Sequence, residues 1–174
     1  MRVRLGDADD TDAAIAVWKA SREARDAGVV TSADRERRAR DDFSRPDSFL
    51  VVAEDDRVVG MALAMHTRDG DGSGPVVPGR CHVEMVFVTP DRWGTGIGAR
   101  VLDGLLDEAC ARRYESIELW TGIDNERAQR LYESRGFVRS GQEQDTETGD
   151  RIVQYERPLG YERYRTPGRS QSSA

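Results

Sequence analysis

The sequence predicts an α/β fold: one mixed sheet of six to seven strands flanked by about four helices. Three observations carry that prediction. Periodicity and turn residues give the element order β α α β β β α β α β β. Early strands are close enough in the chain for hairpins, whereas the strand–helix–strand passage 82–121 demands a parallel right-handed crossover. A length of 174 residues suits one domain with a substantial core. No internal repeat or second domain is visible, so 1–159 reads as one domain and 160–174 as a flexible polar tail.

The elements follow in order. "RVRL" (2–5) is a short strand, and a helix runs from Thr11, an N-cap candidate, to Ala27, with Ala14, Ile15 and Trp18 on one face. Gly28 stops it; a second, charged helix over 32–43 opens on Ser32 as its cap, and Pro46 closes that region. Strands 48–54 and 57–67 make a hairpin across Asp55-Asp56. Residues 68–80 hold four glycines and two prolines and read as a long loop before the strand 81–88. A helix of about fifteen residues then repeats Val101, Leu102, Leu105, Leu106, Ala109 and Cys110 at helical spacing, which makes Cys110 a core thiol. Strand 115–121 turns Ile117 and Leu119 to one face, helix 125–136 ends at Gly136, and 137–142 pairs with 151–157 around "DTETGD".

Bulk properties exclude several classes. A net charge of −6 argues against a nucleic-acid partner, since duplex binders present a basic face. Two cysteines, Cys81 and Cys110, lack metal-ligand spacing and are too few for a disulfide scaffold, so two reduced thiols and no metal are expected. No run approaches the ~18 apolar residues that span a bilayer, and the start, with Arg2, Arg4, Asp7, Asp9 and Asp10, reads as no signal peptide. A soluble, cytoplasmic protein without a membrane partner is expected.

The stretch "TPDRWGTGIGAR" (89–100) runs from a strand through alternate glycines into a helix. Free N–H groups of a first helical turn, helped by the helix dipole, make an anion site, and glycines let the backbone approach it. Gly94, Thr95, Gly96, Ile97 and Gly98 can offer donors to a pyrophosphate, with Arg92 at the rim. Gly94-x-Gly96-x-x-Ala99 also satisfies the dinucleotide fingerprint, with Glu118 about twenty residues on. That rival places the motif in a first βα turn, whereas here two helices and a hairpin precede it.

A second motif changes the weighting. "NERAQRLYESRGF" (125–137) matches N-x-x-A-x-x-L-Y-x-x-x-G-F without a gap, and "VTPDRWGTGIG" follows the frame V-x-P-x-x-R-G-x-G-I-G. On these two motifs the chain resembles the GNAT (GCN5-related N-acetyltransferase) family from residue 2 to about 158. It departs from the pattern at Trp93, where that family usually has Arg or Gln. The resemblance implies acetyl-CoA as cosubstrate, with its pyrophosphate on residues 93–98. The pantetheine arm would lie along the strand of Val86, Phe87 and Val88 and use backbone groups of Val86 and Val88, with Asn125 near the acyl group. It also implies direct transfer in a ternary complex to a primary amine of a small molecule or peptide, with a homodimer as the candidate assembly. The alternative is a non-catalytic acyl-CoA-binding sensor or interaction domain.

Acyl transfer to an amine needs a neutral amine, a stabilised oxyanion and a leaving thiolate. Glu84 interrupts an apolar strand, and strict alternation would put His82, Glu84, Val86 and Val88 on one face. Half-apolar surroundings would raise the Glu84 pKa toward a useful range for a base, with His82 as second choice. Tyr132 has a phenol able to protonate the departing thiolate. Backbone N–H groups near Val86 are the expected oxyanion donors. The resemblance implies an acceptor cleft at about 24–35 and 66–80, with Trp120, Asp69 and Asp71 as lining candidates and Trp18 as core.

Overall fold

The computed structural model describes residues 1–70, 72–146 and 149–160. Asp71 and the expected tail from residue 161 onward therefore lie outside the described residues. The elements are β1 (Arg2–Leu5), α1 (Thr11–Arg25), α2 (Ala33–Phe43), β2 (Phe49–Glu54), β3 (Val58–Arg68), β4 (Val76–Val88), α3 (Ile97–Ala111), β5 (Ser116–Gly122), α4 (Glu126–Glu133), β6 (Val138–Asp145) and β7 (Arg151–Pro158). They form one seven-stranded sheet in the order β1-β2-β3-β4-β5-β7-β6. Only β4 and β5 run parallel, joined by the α3 crossover that the sequence demands.

Strand alternation divides the core into two layers. Phe49, Val51 and Ala53 of β2 face α3, against Val101, Leu102, Leu105 and Ala109. Leu50 and Val52 face the other way, into a layer with Ile15, Trp18 and Ala39 of α1 and α2. The first turn of α3 is let down onto the sheet at Gly60, where a Cβ would come within 2.6 Å of Ile97 Cγ2. Ser32 caps α2 as expected, accepting from the Arg35 N–H. Thr11, by contrast, is the first residue of α1 rather than its cap; Asp7 and Asp10 form a capping box on the 3₁₀ turn just before it. Among the described residues no helix is long and apolar enough to cross a membrane.

Two expectations are corrected. The loop read at 68–80 shrinks to 69–75, because β3 extends to Arg68 and β4 begins at Val76. Pro78 is tolerated there because the ladder breaks between His66/Cys81 and Arg68/Val76, and pairing with β5 starts only at Arg80. Cys110 is exposed, and the buried thiol is Cys81. One residue past Ala109 is a rotation of about 100°, which carries Cys110 off the α3 core face.

A third correction shapes the site. The β3–β4 register slips between Leu63↔Met85 and Ala64↔Val83, so Glu84 is the extra residue of a β-bulge. Beyond it the faces exchange: Met85 and Phe87 pack in the α1–α2 layer, and Val86 and Val88 against the α3 layer. Val86 and Val88 therefore do not share a face with His82 and Glu84, as simple alternation had placed them.

Candidate active site

β4 and β5 pair over only four rungs, from Arg80↔Ser116 to Val83↔Leu119, and both strands then continue unpaired with each other. The sheet splits there into a slot. The Thr89 N–H bonds to the Val59 carbonyl at 2.9 Å, which sets the phase of β4. Alternate residues Phe87 and Met85 thus turn their polar backbone to β3, and Val86 and Val88 turn theirs toward the slot. The Val88 carbonyl already receives the Trp93 indole N–H at 2.8 Å.

The glycine loop lies at the end of the slot. Gly94 and Gly96 both have φ of +81°, a left-handed conformation that other residues adopt only with strain. Gly96 is the N-cap of α3 and offers no side-chain cap, so the first N–H groups of a fifteen-residue helix stay open. A Cβ at Gly94 or Gly96 would meet nothing within 4 Å, so the loop faces open space. This donor set suits a pyrophosphate, and the slot backbone suits an amide-bearing arm added like a strand.

The side chains around this loop are less free than the sequence suggested. Thr95 Oγ1 donates back to the Arg92 carbonyl at 2.7 Å. Arg92 is drawn to Asp55 at 3.4 Å and Asp91 at 3.6 Å. Asn125 is the N-cap of α4, its Oδ1 accepting from the Ala128 N–H at 3.2 Å. Two residues that sequence reasoning missed complete this end. Gln129 ties α4 to the end of β5 by donating to the carbonyls of Gly122 at 3.0 Å and Ile123 at 2.7 Å. The Arg127 guanidinium lies 5.2 Å from the centre of the Trp93 ring.

At the vertex of the slot sit the ionisable groups. His82 Nε2 is 3.2 Å from Glu84 Oε2, and His82 Nδ1 is 3.6 Å from Glu118 Oε1. Burial opposes charge on the imidazole, but the two carboxylates prevail and raise its pKa to about 9. The same contact with His82 holds Glu84 below the ordinary carboxylate range, against the effect of burial. This corrects the raised Glu84 pKa expected from half-apolar surroundings: the imidazolium beside it outweighs burial. Asp42 in the last turn of α2 moves the other way, to about 6, through burial and then the Glu84 charge.

This pairing makes stability pH-dependent. His82 is raised in the folded state, so its contribution is complete below about pH 6.5 and is lost as pH climbs through about 9. The expected loss is about 2–3 kcal/mol across that window. It is checked by urea unfolding at pH 6.5 and 9.5, where His82→Gln should flatten the difference.

Tyr132, on α4, is buried beside Phe137 and Tyr155, with ring centroids 5.9 and 6.3 Å away. Its hydroxyl has no hydrogen-bond partner among the described residues, and burial pushes its pKa up to about 12. Of the acceptor candidates, Trp18 is core, Trp120 is half-buried on β5, and Asp69 is exposed in the β3–β4 turn. Asp69 follows the end of β3, with its N–H on the Pro75 carbonyl and its Oδ1 accepting from the Gly70 N–H, apart from His82 and Glu84. Glu118, which stands about twenty residues beyond the glycines as the rival dinucleotide fingerprint requires, is 5% exposed and engaged by Arg80 at 2.9 Å, which closes that role to it.

Known proteins align with this arrangement. The profile of the Acetyltransferase (GNAT) family matches residues 12–137. An uncharacterized N-acetyltransferase of Archaeoglobus fulgidus is 32% identical over 141 residues, covering 80% of this chain and 94% of that protein. The mycothiol acetyltransferase of Paenarthrobacter aurescens is 32% identical over 113 residues, 64% of this chain and 34% of the relative. The chain thus spans about a third of the length of that relative. Among solved structures, the ribosomal-protein-S18-alanine N-acetyltransferase of Escherichia coli superposes with a TM-score of 0.71 at 17% identity, covering 99% of each chain. Salmonella typhimurium yncA, solved with its cofactor acetyl-CoA, gives 0.69 at 20% identity, covering 92% of this chain and 94% of that one. At such identities the structures show the fold.

Proposed function

Because the chain belongs to the GNAT family of acetyltransferases, we propose that it moves an acetyl group from acetyl-CoA to a primary amine of a small molecule or peptide, in one ternary complex. The observation that carries this reading is the split between β4 and β5, with an uncapped α3 N-terminus at its mouth and the His82–Glu84 pair at its vertex.

The open N–H groups of Ile97 and its successors, with Gly94 and Gly96, hold the pyrophosphate. Arg127, stacked on Trp93, supplies the cation that the family pattern places at position 93, since Arg92 is held by acids. Slot-facing backbone at Val86 receives the pantetheine amide, while Trp93 covers the Val88 carbonyl. Asn125 positions the start of α4 and with it Tyr132.

The two acid–base roles then divide. An alkylammonium has a pKa near 10, and His82 at about 9 is matched to it within about one pH unit, whereas Glu84 is several units too weak. His82 in its neutral form takes the amine proton; Glu84 draws in the cationic acceptor and holds the imidazole. The amine nitrogen attacks the thioester carbon, the C–N bond forms, the C–S bond breaks, and the nitrogen's second proton leaves to water. The Tyr132 hydroxyl gives its proton to the departing sulfur and is reprotonated by water.

The test is release of free CoA thiol from acetyl-CoA over a panel of amines, peptides and aminoglycosides. Amine-dependent release supports the enzyme. Tight acetyl-CoA binding without turnover on any acceptor supports a sensor domain instead, and failure to bind CoA at all overturns both.

A further inference from the structure

Behind His82 lies a chain of polar groups that crosses four strands. Ser140 Oγ of β6 donates to Gln154 Oε1 of β7 at 2.7 Å, and Gln154 Nε2 donates to Glu118 Oε2 of β5 at 3.0 Å. Arg80 Nε of β4 lies 2.9 Å from the same Glu118 oxygen, and its other arm reaches Glu156 at 2.9 Å. Glu118 Oε2 is therefore doubly engaged, which leaves Oε1 to face His82 Nδ1. The backbone register fixes this juxtaposition, because His82 and Glu118 are rung partners in the parallel ladder.

Such a set is costly to bury. Glu118 is 5% exposed and Gln154 5%, and both would destabilise the fold if left unpaired. Their side-chain bonds run to Arg80, His82 and Ser140 rather than to the glycine loop, so a role in holding a pyrophosphate does not account for them. A carboxylate facing Nδ1 at 3.6 Å steadies the imidazole ring with Nε2 turned toward Glu84 at 3.2 Å, and so orients the histidine.

We propose that Glu118, braced by Arg80 and Gln154, is a positioning residue that acts through His82: it fixes Nε2 as the nitrogen facing Glu84 and the amine, and stabilises the imidazolium formed when the amine proton arrives. The inference rests on the transferase reading for its catalytic consequence, but not for its electrostatics. The groups around His82 are Glu84 and Arg80 of β4, Glu118 of β5, and Asp42 with Arg45 at the end of α2. Removing one carboxylate and removing the guanidinium must therefore act in opposite directions.

The chain has two histidines, so long-range proton–nitrogen spectra resolve both rings, and His66, with the Tyr114 hydroxyl 3.1 Å from its Nδ1, serves as internal control. In the ligand-free protein His82 should titrate near pH 9. Glu118→Gln should lower that midpoint by about one pH unit or more, roughly tenfold in proton affinity. Arg80→Gln should raise the midpoint. With an active acceptor, Glu118→Gln should lower kcat roughly tenfold or more with KM for acetyl-CoA unchanged. A folded Glu118→Gln protein whose His82 midpoint does not move overturns the proposal. If that variant does not fold, a midpoint that stays or falls in Arg80→Gln does the same. The expected shifts without any turnover would leave the positioning intact and remove the transferase reading alone.

Discussion

Tyr132→Phe is expected to lower kcat by roughly 10²–10³-fold while acetyl-CoA binding changes little. The argument starts from burial. The phenol has no hydrogen-bond partner among the described residues and sits at about 12, so it stays protonated at any working pH. An acid that weak donates to a thiolate only if the thiolate is also destabilised, and the same dry surroundings raise the thiol's pKa as well. The hydrogen bond therefore strengthens as charge develops on sulfur, in the transition state rather than before it. Phenylalanine retains the edge-to-face contact with Phe137, so stability should change by less than about 1 kcal/mol. Stopped-flow thiol release and calorimetric acetyl-CoA binding separate the two effects. A variant that keeps half its kcat removes Tyr132 from the chemistry.

The second large effect concerns Glu84 and its sign with pH. For an acceptor whose own amine titrates below pH 6, the rate should climb about tenfold per pH unit and level off near 9, where His82 loses its proton. Glu84→Gln takes one carboxylate from His82, so the level region should begin at lower pH. The plateau should fall by about 10²-fold. The loss is therefore greatest above pH 9 and smaller at neutrality, where more of the variant's His82 is already neutral. A carboxylate base at position 84 would behave differently: the variant's rate would stay low at every pH with no shift of the limb. An unmoved limb thus returns the base to Glu84 or to water.

What the sequence disclosed was local. Helix ends, hairpins and the crossover follow from capping residues, turn residues and apolar period, and each is decided within about fifteen residues. The glycine loop and the "NERAQRLYESRGF" helix were legible for the same reason, since backbone conformation and capping are near-neighbour matters. Register was not legible. The bulge at Glu84, which sends Val86 and Val88 to the opposite face, depends on how β3 and β4 slide past each other. The strand pairing around Pro78 depends on where β5 begins. The Arg80–Glu118–Gln154 group joins residues up to 74 positions apart. One signal was available: "SIELW" carries a lone acid in an apolar strand, as "HVEMV" does, and the two acids face the same histidine.

The short β4–β5 ladder has a mechanical meaning. Four rungs and the α3 core join two leaves of one sheet, and the joint works as a fulcrum. A small change in the angle between the leaves travels as a large displacement at Val88 and Gly122 and as almost none at the His82–Glu118 rung. Any change in that angle would leave the distance between His82 and Glu118 nearly constant, because both sit on a rung of the ladder itself.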